Sequence, residues 1–405
     1  MGFRLTFNFP TEQRVEGRVR FLAPKLEAFT EHPWEYAPSK APVFYNPVME
    51  FNRDLAVLAL QTYRMNVEGA LRVCEPLAGC GVRGIRFARE VEGVEEVILN
   101  DINPTAFKMI QYNVELNNLS NVKVFNEDAN LLLNRYASPR RRFDYIDVDP
   151  FGTPVTFMDS AVRALKDGGL IALTATDMAP LCGVFPNVAL RKYGGRSIRA
   201  EYHNEVAIRL LIGSLASTAA KHNIGVNVLF SYGVDHYVRV YAEIMYGARR
   251  ADESLNMMGY ILHCFNCFNR RSEFGIIPEM SRTCERCGSR MDVAGPLWLG
   301  RIFDREFCIS MRENMYRLSL RGERRIRKLL DVIQEEIDDS VTYFVIDRVS
   351  DRFNLAPPPV RDVVERLRRM GFKSSGTYLN PKGVRTDAPA WTLIEVVREL
   401  SQRRG

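Results

Sequence analysis

Between Leu71 and Asp177 the chain repeats one pattern: a short apolar run, a polar turn, then a helix-forming segment. The runs are LRVCEPLAGCGVRGIRFARE, then VEEVILND with a helix from Pro104 to Leu116, then NVKVFNEDAN, then FDYIDVDPFGTP with a helix through Lys166, then GGLIALTATD. Strands joined through helices must cross over, so they pair in parallel and are covered by helices. In such a sheet, ligands bind at the edge formed by the strands' C-terminal ends. Here that edge collects acids: Glu75, Asp101, Asp128 and Asp149.

A longer helix is expected from Glu201 to Lys221, and IGVNVLFSYGVDHYVRVYAEIMYG reads as two strands around a Gly233-Val234-Asp235 turn. Five parallel strands followed by a terminal hairpin resemble the Rossmann-like sheet of class I methyltransferases that use S-adenosylmethionine (SAM). The expected class is therefore α/β. Residues 1–45 are hard to read beyond a candidate strand in GRVRFLAP, and DLAVLALQTYR has apolar residues at helical spacing, with Asn52 or Asp54 as its cap.

The fourth strand ends on Asp149, and Pro150, Phe151 and Gly152 follow at once. The turn offers a carboxylate, free carbonyls and an aromatic face together. That set suits a planar base carrying an amine: Asp149 and the Pro150 carbonyl accept the N–H hydrogens, and Phe151 stacks on the base. Asp149 is also placed to take a proton. The bland alternative is a Pro-Phe turn that only closes a strand.

Upstream, GCGVRG at 79–84 is a G-x-G-x-x-G turn between strand and helix, with Asp101 about twenty residues on. Alone it also fits a nicotinamide cofactor, with glycines admitting a pyrophosphate to the helix N-terminus. Glu75 near the end of the first strand, and the cations Arg83 and Arg86, shift the reading towards SAM, whose amino acid end carries both charges. Gly79 and Gly81 shape the turn, Asp101 suits the ribose hydroxyls, and Asp128 with the Ala129 amide suits the adenine edge. A Gly-rich turn without a ligand is the alternative.

Cys264-x-x-Cys267 and Cys284-x-x-Cys287 stand sixteen residues apart. That is four-cysteine zinc spacing, and four protein thiolates leave no open position for catalysis, so the zinc would be structural. Disulfides compete with this reading but are disfavoured in a reducing compartment. His263 is a neighbour of the set, and the scattered Cys74, Cys80, Cys182 and Cys308 are packed thiols. Phe265, Phe268, Arg270, Arg271, Arg282 and Arg286 interleave the knuckles in a manner suited to an RNA backbone.

No secretory signal or membrane-spanning run is visible, so the expected location is cytoplasmic, with no membrane and no obligate protein partner inferred. The formal charge of +6 is uneven, since residues 301–405 hold 21 Lys+Arg against 16 Asp+Glu. A basic tail is compatible with a polyanion, and equally with a solvated helical surface. RENMYRLSLRGERRIRKLLDVIQEEI reads as helical and strongly charged. PPPVRDVVERLRRMG reads as a shorter helix with Val360, Val363, Val364, Leu367 and Met370 on one face, and FKSSGTYLNPKGVRTDAP as a hairpin. Helices followed by a hairpin suggest a C-terminal α+β, winged-helix-like domain. The expected layout is a catalytic domain with an N-terminal extension at 1–250, a zinc segment at 251–300 and a basic domain at 301–405.

Taken together, VFYNPVMEFNRD, AGCGVRGIRFA, LNDINPTAF, EDAN, DVDPFGTP, TATDMAPLCG, the knuckles and GPLWLG resemble the tRNA (guanine-N2)-dimethyltransferase family over nearly the whole chain. The resemblance implies SAM as donor, tRNA as partner and one or two methyl transfers to the amine of guanine 26. It also implies cofactor contacts at Arg53, Arg83, Asp101, Asp128 and Ala129, a catalytic carboxylate at Asp149 with Pro150 and Phe151 beside it, and Phe44 lining the base pocket. Arg53 and Phe44 rest on the resemblance alone. Two rivals remain at this stage. One is an adenine-N6 methyltransferase, whose motif usually has a second Pro where Phe151 stands and an aromatic where Gly152 stands. The other is a non-catalytic zinc-bearing RNA-binding protein on a methyltransferase fold. A dehydrogenase would leave DPFG unexplained.

Overall fold

The computed structural model describes residues 7–32, 37–234, 236–338 and 340–402; Asp235, assigned above to a turn, lies outside them. The chain forms two compact units. The first comprises residues 1–150, 157–173 and 309–327, the second 151–156, 174–308 and 328–405.

The first unit opens with a hairpin, β1 (Thr11–Glu16) and β2 (Val19–Pro24), followed by α1 (Glu50–Met65). Then comes the alternation: β3 (Leu71–Glu75), α2 (Val82–Glu90), β4 (Val94–Asn100), α3 (Pro104–Leu116), β5 (Val122–Phe125), α4 (Ala129–Tyr136), β6 (Phe143–Val148), α5 (Val155–Ala164) and β7 (Leu165–Ala175). β3 to β7 pair in parallel. Their order, β5-β4-β3-β6-β7, puts the first and fourth parallel strands side by side. Successive crossovers diverge at that point, so a crevice opens at the C-terminal ends of β3 and β6.

Two packing details explain the sequence here. A Cβ on Gly84 would meet the Leu99 side chain at 2.1 Å, so α2 lies on β4 at a distance only glycine allows. α1 is buried from Asn52 to Tyr63 all the way round, charged residues included. The segment 309–327 supplies the extra cover. Gly322 donates its N–H to Asp54 (2.9 Å), Arg321 pairs with Glu50 (3.0 Å), and Arg325 stacks over Phe51. Local spacing in α1 suggested only an amphipathic helix.

The second unit contains α6 (Met178–Leu181), α7 (Pro186–Tyr193) and α8 (His203–Ala220), then β8 (Ile224–Val234) and β9 (Tyr237–Tyr246), which pair antiparallel. In hydrogen-bonding order the mixed seven-stranded sheet reads β5-β4-β3-β6-β7-β9-β8. α9 (Ala248–Asn256) leads to a second sheet, ordered β11-β10-β12, from β10 (Met258–His263), β11 (Arg270–Phe274) and β12 (Asp292–Trp298). After α10 (Arg305–Asn314) and α11 (Glu323–Glu335) come β13 (Phe344–Val345), α12 (Ile346–Arg352), α13 (Val360–Arg369), β14 (Ser374–Thr377), β15 (Asn380–Thr386) and α14 (Ala390–Gln402). The helical stretch expected from Arg312 is divided, with α10 ending at Asn314 and α11 starting at Glu323. Asp54 captures the Gly322 amide, and a glycine is a poor residue on which to continue a helix.

Buried charge holds the second unit. Arg385, on β15, donates two bonds to Glu205 of α8 (2.9 and 3.1 Å) and one to Glu336 (2.7 Å), with both carboxylates fully enclosed. Arg209 shares Glu205 and donates to the carbonyls of Trp298 and Gly300. Removing one partner of such a set leaves an uncompensated charge in low dielectric. Arg385→Ala should therefore lower stability by about 3–5 kcal/mol in urea unfolding. Replacement by Met together with Glu336→Gln should recover part of that loss, and an Arg385→Ala protein as stable as the parent would show that the pair is not needed.

Candidate active site

At the crevice, β3, β4, β5 and β6 each end on an acid or run into one. Tyr145 and Asp147 alternate along β6 and Asp149 follows directly after it. Arg83, from the first turn of α2, reaches across to them. It donates to Asp147 (2.6 Å), to the Asn52 carboxamide oxygen (2.8 Å) and to Asp149. Tyr145 holds the other oxygen of Asp147 (2.7 Å). Asp147 and Asn52 have no solvent exposure, whereas the Asp149 side chain is 16 % exposed. The carboxylate that faces the crevice is thus aimed from behind by a buried Arg-Asp-Tyr-Asn set.

Glu75 accepts the Gly84 N–H (2.9 Å) and stands 3.8 Å from Arg83. Burial pushes its carboxyl up to about 8, against the opposing effect of Arg83. Asp101 accepts N–H bonds from Gly79 (2.8 Å) and Asn103 (2.9 Å), and burial raises its carboxyl also. Gly79 and Gly81 both adopt left-handed backbone (φ 57 and 80). A Cβ at Gly79 would lie 2.8 Å from the Phe44 carbonyl oxygen, so the glycine lets the 42–46 segment close over the turn. That segment is tied twice more, by Asn103 to the Pro42 carbonyl (2.7 Å) and by Arg53 to the Asn46 carbonyl (3.1 Å). Phe44 therefore stands at the glycine turn.

Asp128 caps α4, accepting from Asn130 (2.9 Å) and Leu131 (3.1 Å), beside buried Ala129. Arg53 is committed to Glu16 through two bonds (2.7 and 2.5 Å), with Tyr45 donating to the same carboxylate (2.9 Å). Arg86 does not serve the cofactor turn as its spacing suggested. It is fully buried, with Asp54 and Glu90 matching its charge. Pro150 follows Asp149, and Phe151 is 67 % exposed. Gly152 exchanges bonds with Thr176, through its N–H to the hydroxyl (2.7 Å) and its carbonyl from the Thr176 N–H (2.8 Å).

Sequence reasoning missed Tyr145, Asp147, Glu16 and Asn100, and read Asn52 only as a candidate helix cap, whereas it lies inside α1. Asn100 links the ends of two strands, donating to the Pro76 and Glu127 carbonyls (2.9 and 3.0 Å). Asp147 had a signal, since a charged residue inside an apolar strand needs a buried partner. Glu16 had none, because its partner lies 37 residues away.

Cys264, Cys267, Cys284 and Cys287 point their sulfurs together, all within 4.8 Å of one another. Two pairs stand at 3.5 and 3.6 Å. A tetrahedral zinc with bonds of about 2.3 Å sets its sulfurs ~3.8 Å apart, so the donor set fits. The knuckles repeat each other. Phe268 and Gly288 both have left-handed φ, and their N–H groups return to the Cys264 and Cys284 carbonyls (both 2.9 Å). His263 lies outside the cluster, wholly buried against Phe265 and Tyr202.

Two residues expected to face RNA are instead structural. Phe268 joins the core formed by Phe344, Val349, Leu367 and Leu393, and Arg270 pairs with Glu201 (2.6 Å) and stacks over Phe344 (3.8 Å to the ring centre).

The family model for N2,N2-dimethylguanosine tRNA methyltransferase matches residues 17–398. The tRNA (guanine(26)-N(2))-dimethyltransferase of Methanosphaera stadtmanae is 38 % identical over 387 residues, 96 % of each chain. That of Methanothermobacter thermautotrophicus is 41 % identical over 89 % of this chain and 94 % of its own. The structure of Trm1 from Pyrococcus horikoshii with S-adenosyl-L-methionine superposes with a TM-score of 0.83 at 33 % identity, covering 96 % of this chain and all of that one. The chain belongs to the N2,N2-dimethylguanosine tRNA methyltransferase family.

Proposed function

We propose that this protein transfers methyl groups from SAM to the exocyclic N2 amine of guanine 26 in tRNA, giving N2-methyl- and N2,N2-dimethylguanosine. The observation that carries the reading is Asp149: a carboxylate at the topological switch point, aimed by Arg83 and followed by Pro150 and an exposed Phe151. SAM supplies an electrophilic methyl group. Asp149 and the Pro150 carbonyl accept the two N–H hydrogens of the guanine amine, which turns its lone pair out of ring conjugation and towards the methyl. When the N–C bond forms, the nitrogen sheds a proton, and Asp149 is the acceptor in reach. Phe151 gives the base a stacking face, and Phe44 lines the pocket at the glycine turn. Glu75 and Arg83 address the amino acid end of the donor, Asp101 its ribose, and Asp128 with Ala129 its adenine. Arg53 acts from behind the 42–46 segment, holding it through Asn46 and Glu16.

In this reading zinc in the 251–300 segment is structural, since four cysteines fill its coordination. Residues 301–405 bind tRNA through a winged-helix-like arrangement, and 1–250 perform the chemistry. The α12–α13 pair, the β14–β15 hairpin and the basic composition support that role. No helix among the described residues is long and apolar enough to cross a membrane, and the reduced cysteines suit a cytoplasmic site of action.

Glu75 adds a pH signature. Its carboxyl, raised by burial from the usual 4.5 to about 8, is protonated in the ligand-free protein at pH 6. Ionising it as pH rises destabilises that form, and a cationic amino group at the site favours the ionised state. SAM affinity should therefore climb between pH 6 and pH 8 by up to about tenfold per unit. Calorimetry on Glu75→Gln should give a flat profile, and an unchanged slope in that variant would remove Glu75 from the site.

The direct test is transfer of labelled methyl from SAM to an unmodified tRNA transcript, with nucleoside analysis of the product. N2-methylated guanosine that disappears when guanine 26 is replaced supports the reading. SAM binding without any such product would refute it.

A further inference from the structure

Outside the site described, a cavity of about 390 Å³ opens in the second unit, lined by Arg196, Arg282, Arg290, Asp292 and Val293. Its three arginines come from two stretches of chain: Arg196 is paired with β12 through Gly295, and Arg282 and Arg290 lie on either side of the second knuckle, just before β12. Arg196 exchanges both amide bonds with Gly295 (2.9 and 2.8 Å). Met291 donates to the Arg282 carbonyl (2.7 Å), and Thr283 bridges Arg290 across the second knuckle. All three arginines are exposed.

The neighbouring cations are already used. Arg270 pairs with Glu201, Arg271 with Glu273 and Glu285, and Arg286 stacks on Trp391. Among the described residues, Arg196, Arg282 and Arg290 have no carboxylate within ion-pairing distance, and Asp292 pairs with none of them. Three arginines that line one hollow with no carboxylate partner, Arg282 resting only on the Met291 carbonyl (3.4 Å), raise its potential and suit a polyanion, because guanidinium forks match phosphate oxygens.

Size narrows the ligand. The hollow is open to solvent and wider than one bound ion needs, which suits a stretch of backbone. Asp292 adds an acceptor for a ribose 2′-hydroxyl, the group that distinguishes RNA from DNA.

We infer that the Arg196-Arg282-Arg290 cleft binds successive backbone phosphates of the tRNA substrate. The inference rests on the proposed tRNA activity and deepens it by assigning a contact that neither the catalytic crevice nor the C-terminal domain supplies. Arg282 and Arg290 flank the second knuckle, so a zinc held by the four cysteines would also help to place two of the three cations.

The experiment measures the affinity of an unmodified tRNA transcript across a salt series for the parent and two triple variants of Arg196, Arg282 and Arg290, one all-Gln and one all-Lys. Zinc content and SAM affinity are checked in each. Loss of three phosphate contacts should reduce the slope of log affinity against log salt by about 2 to 3 in the Gln variant. Affinity at low salt should fall at least tenfold, with SAM affinity unchanged. The Lys variant should keep most of the slope, because point charges persist. Equal slopes in parent and Gln variant would overturn the cleft while leaving tRNA methylation intact. A parent that neither binds nor methylates tRNA would overturn the activity instead. If the arginines only balance the charge of the zinc thiolates, the Gln variant should lose zinc and the Lys variant keep it, with equal salt slopes in the zinc-loaded proteins. That result also refutes the inference.

Discussion

Asp149→Ala should lose methyl transfer by about 10²–10⁴-fold while SAM still binds. The asymmetry follows from the geometry. Asp149 is the exposed member of a set whose other members stay satisfied without it, because Arg83 keeps Asp147 at 2.6 Å and Asn52 at 2.8 Å. The guanidinium is not stranded, and the donor's half of the pocket should keep its shape. What disappears is the acceptor that, in the proposed mechanism, orients the guanine amine and takes its proton. Asp149→Asn separates those two roles, since its amide oxygen still accepts a hydrogen bond but takes no proton. An activity between those of Ala and Asp would assign part of the effect to orientation. Single-turnover transfer with calorimetric SAM titration reads both quantities, and Asp149→Ala activity within tenfold of the parent would sink the assignment.

Breaking the cysteine cluster should have the largest effect on stability. Structural zinc in isolated finger peptides is worth about 10–16 kcal/mol, and a share of that would be lost here with Cys264→Ser. The loss should reach beyond the knuckles. Phe268, held in left-handed backbone between Cys267 and Asn269, is part of the core shared by α12, α13 and α14. An unordered first knuckle withdraws that ring and leaves a hole the surrounding side chains only partly fill. Hydrogen exchange should therefore quicken in β13, β14 and β15 as well as in β10 and β11, and zinc content should fall. Folded protein that survives should lose far less in the chemical step than in thermal stability. A zinc-free variant with an unchanged Tm and unchanged exchange would show that the metal is dispensable to the fold.

The placement of the acids and the cysteines was legible because each sits where local rules apply. Strand-helix alternation dictates a parallel sheet, a parallel sheet dictates which end binds ligands, and the acids at those ends are adjacent in sequence to the turns that present them. The cysteine pairs are local in the same sense, since each knuckle closes within a few residues and repeats the same amide pattern. Pairings between distant segments were not legible. Arg86 reads as a cofactor cation until its partners Asp54 and Glu90 are seen, and Arg270 reads as RNA-facing until Glu201 is found 69 residues earlier. In the same way the helical stretch expected from Arg312 is interrupted by a carboxylate 268 residues away.

By itself, then, the sequence determined the sheet, the acidic edge, the DPFG turn and the sulfur cluster, because periodicity, turn chemistry and ligand spacing act over short stretches of chain. Only the tertiary structure decided which charges are buried in pairs and which are left to face a ligand. Asp147 aims Arg83, Glu16 consumes Arg53, and Arg196 meets Arg282 and Arg290 across a gap of more than eighty residues. A charge is committed by whatever lies within a few ångströms of it, and the folded chain sets that distance independently of separation along the sequence.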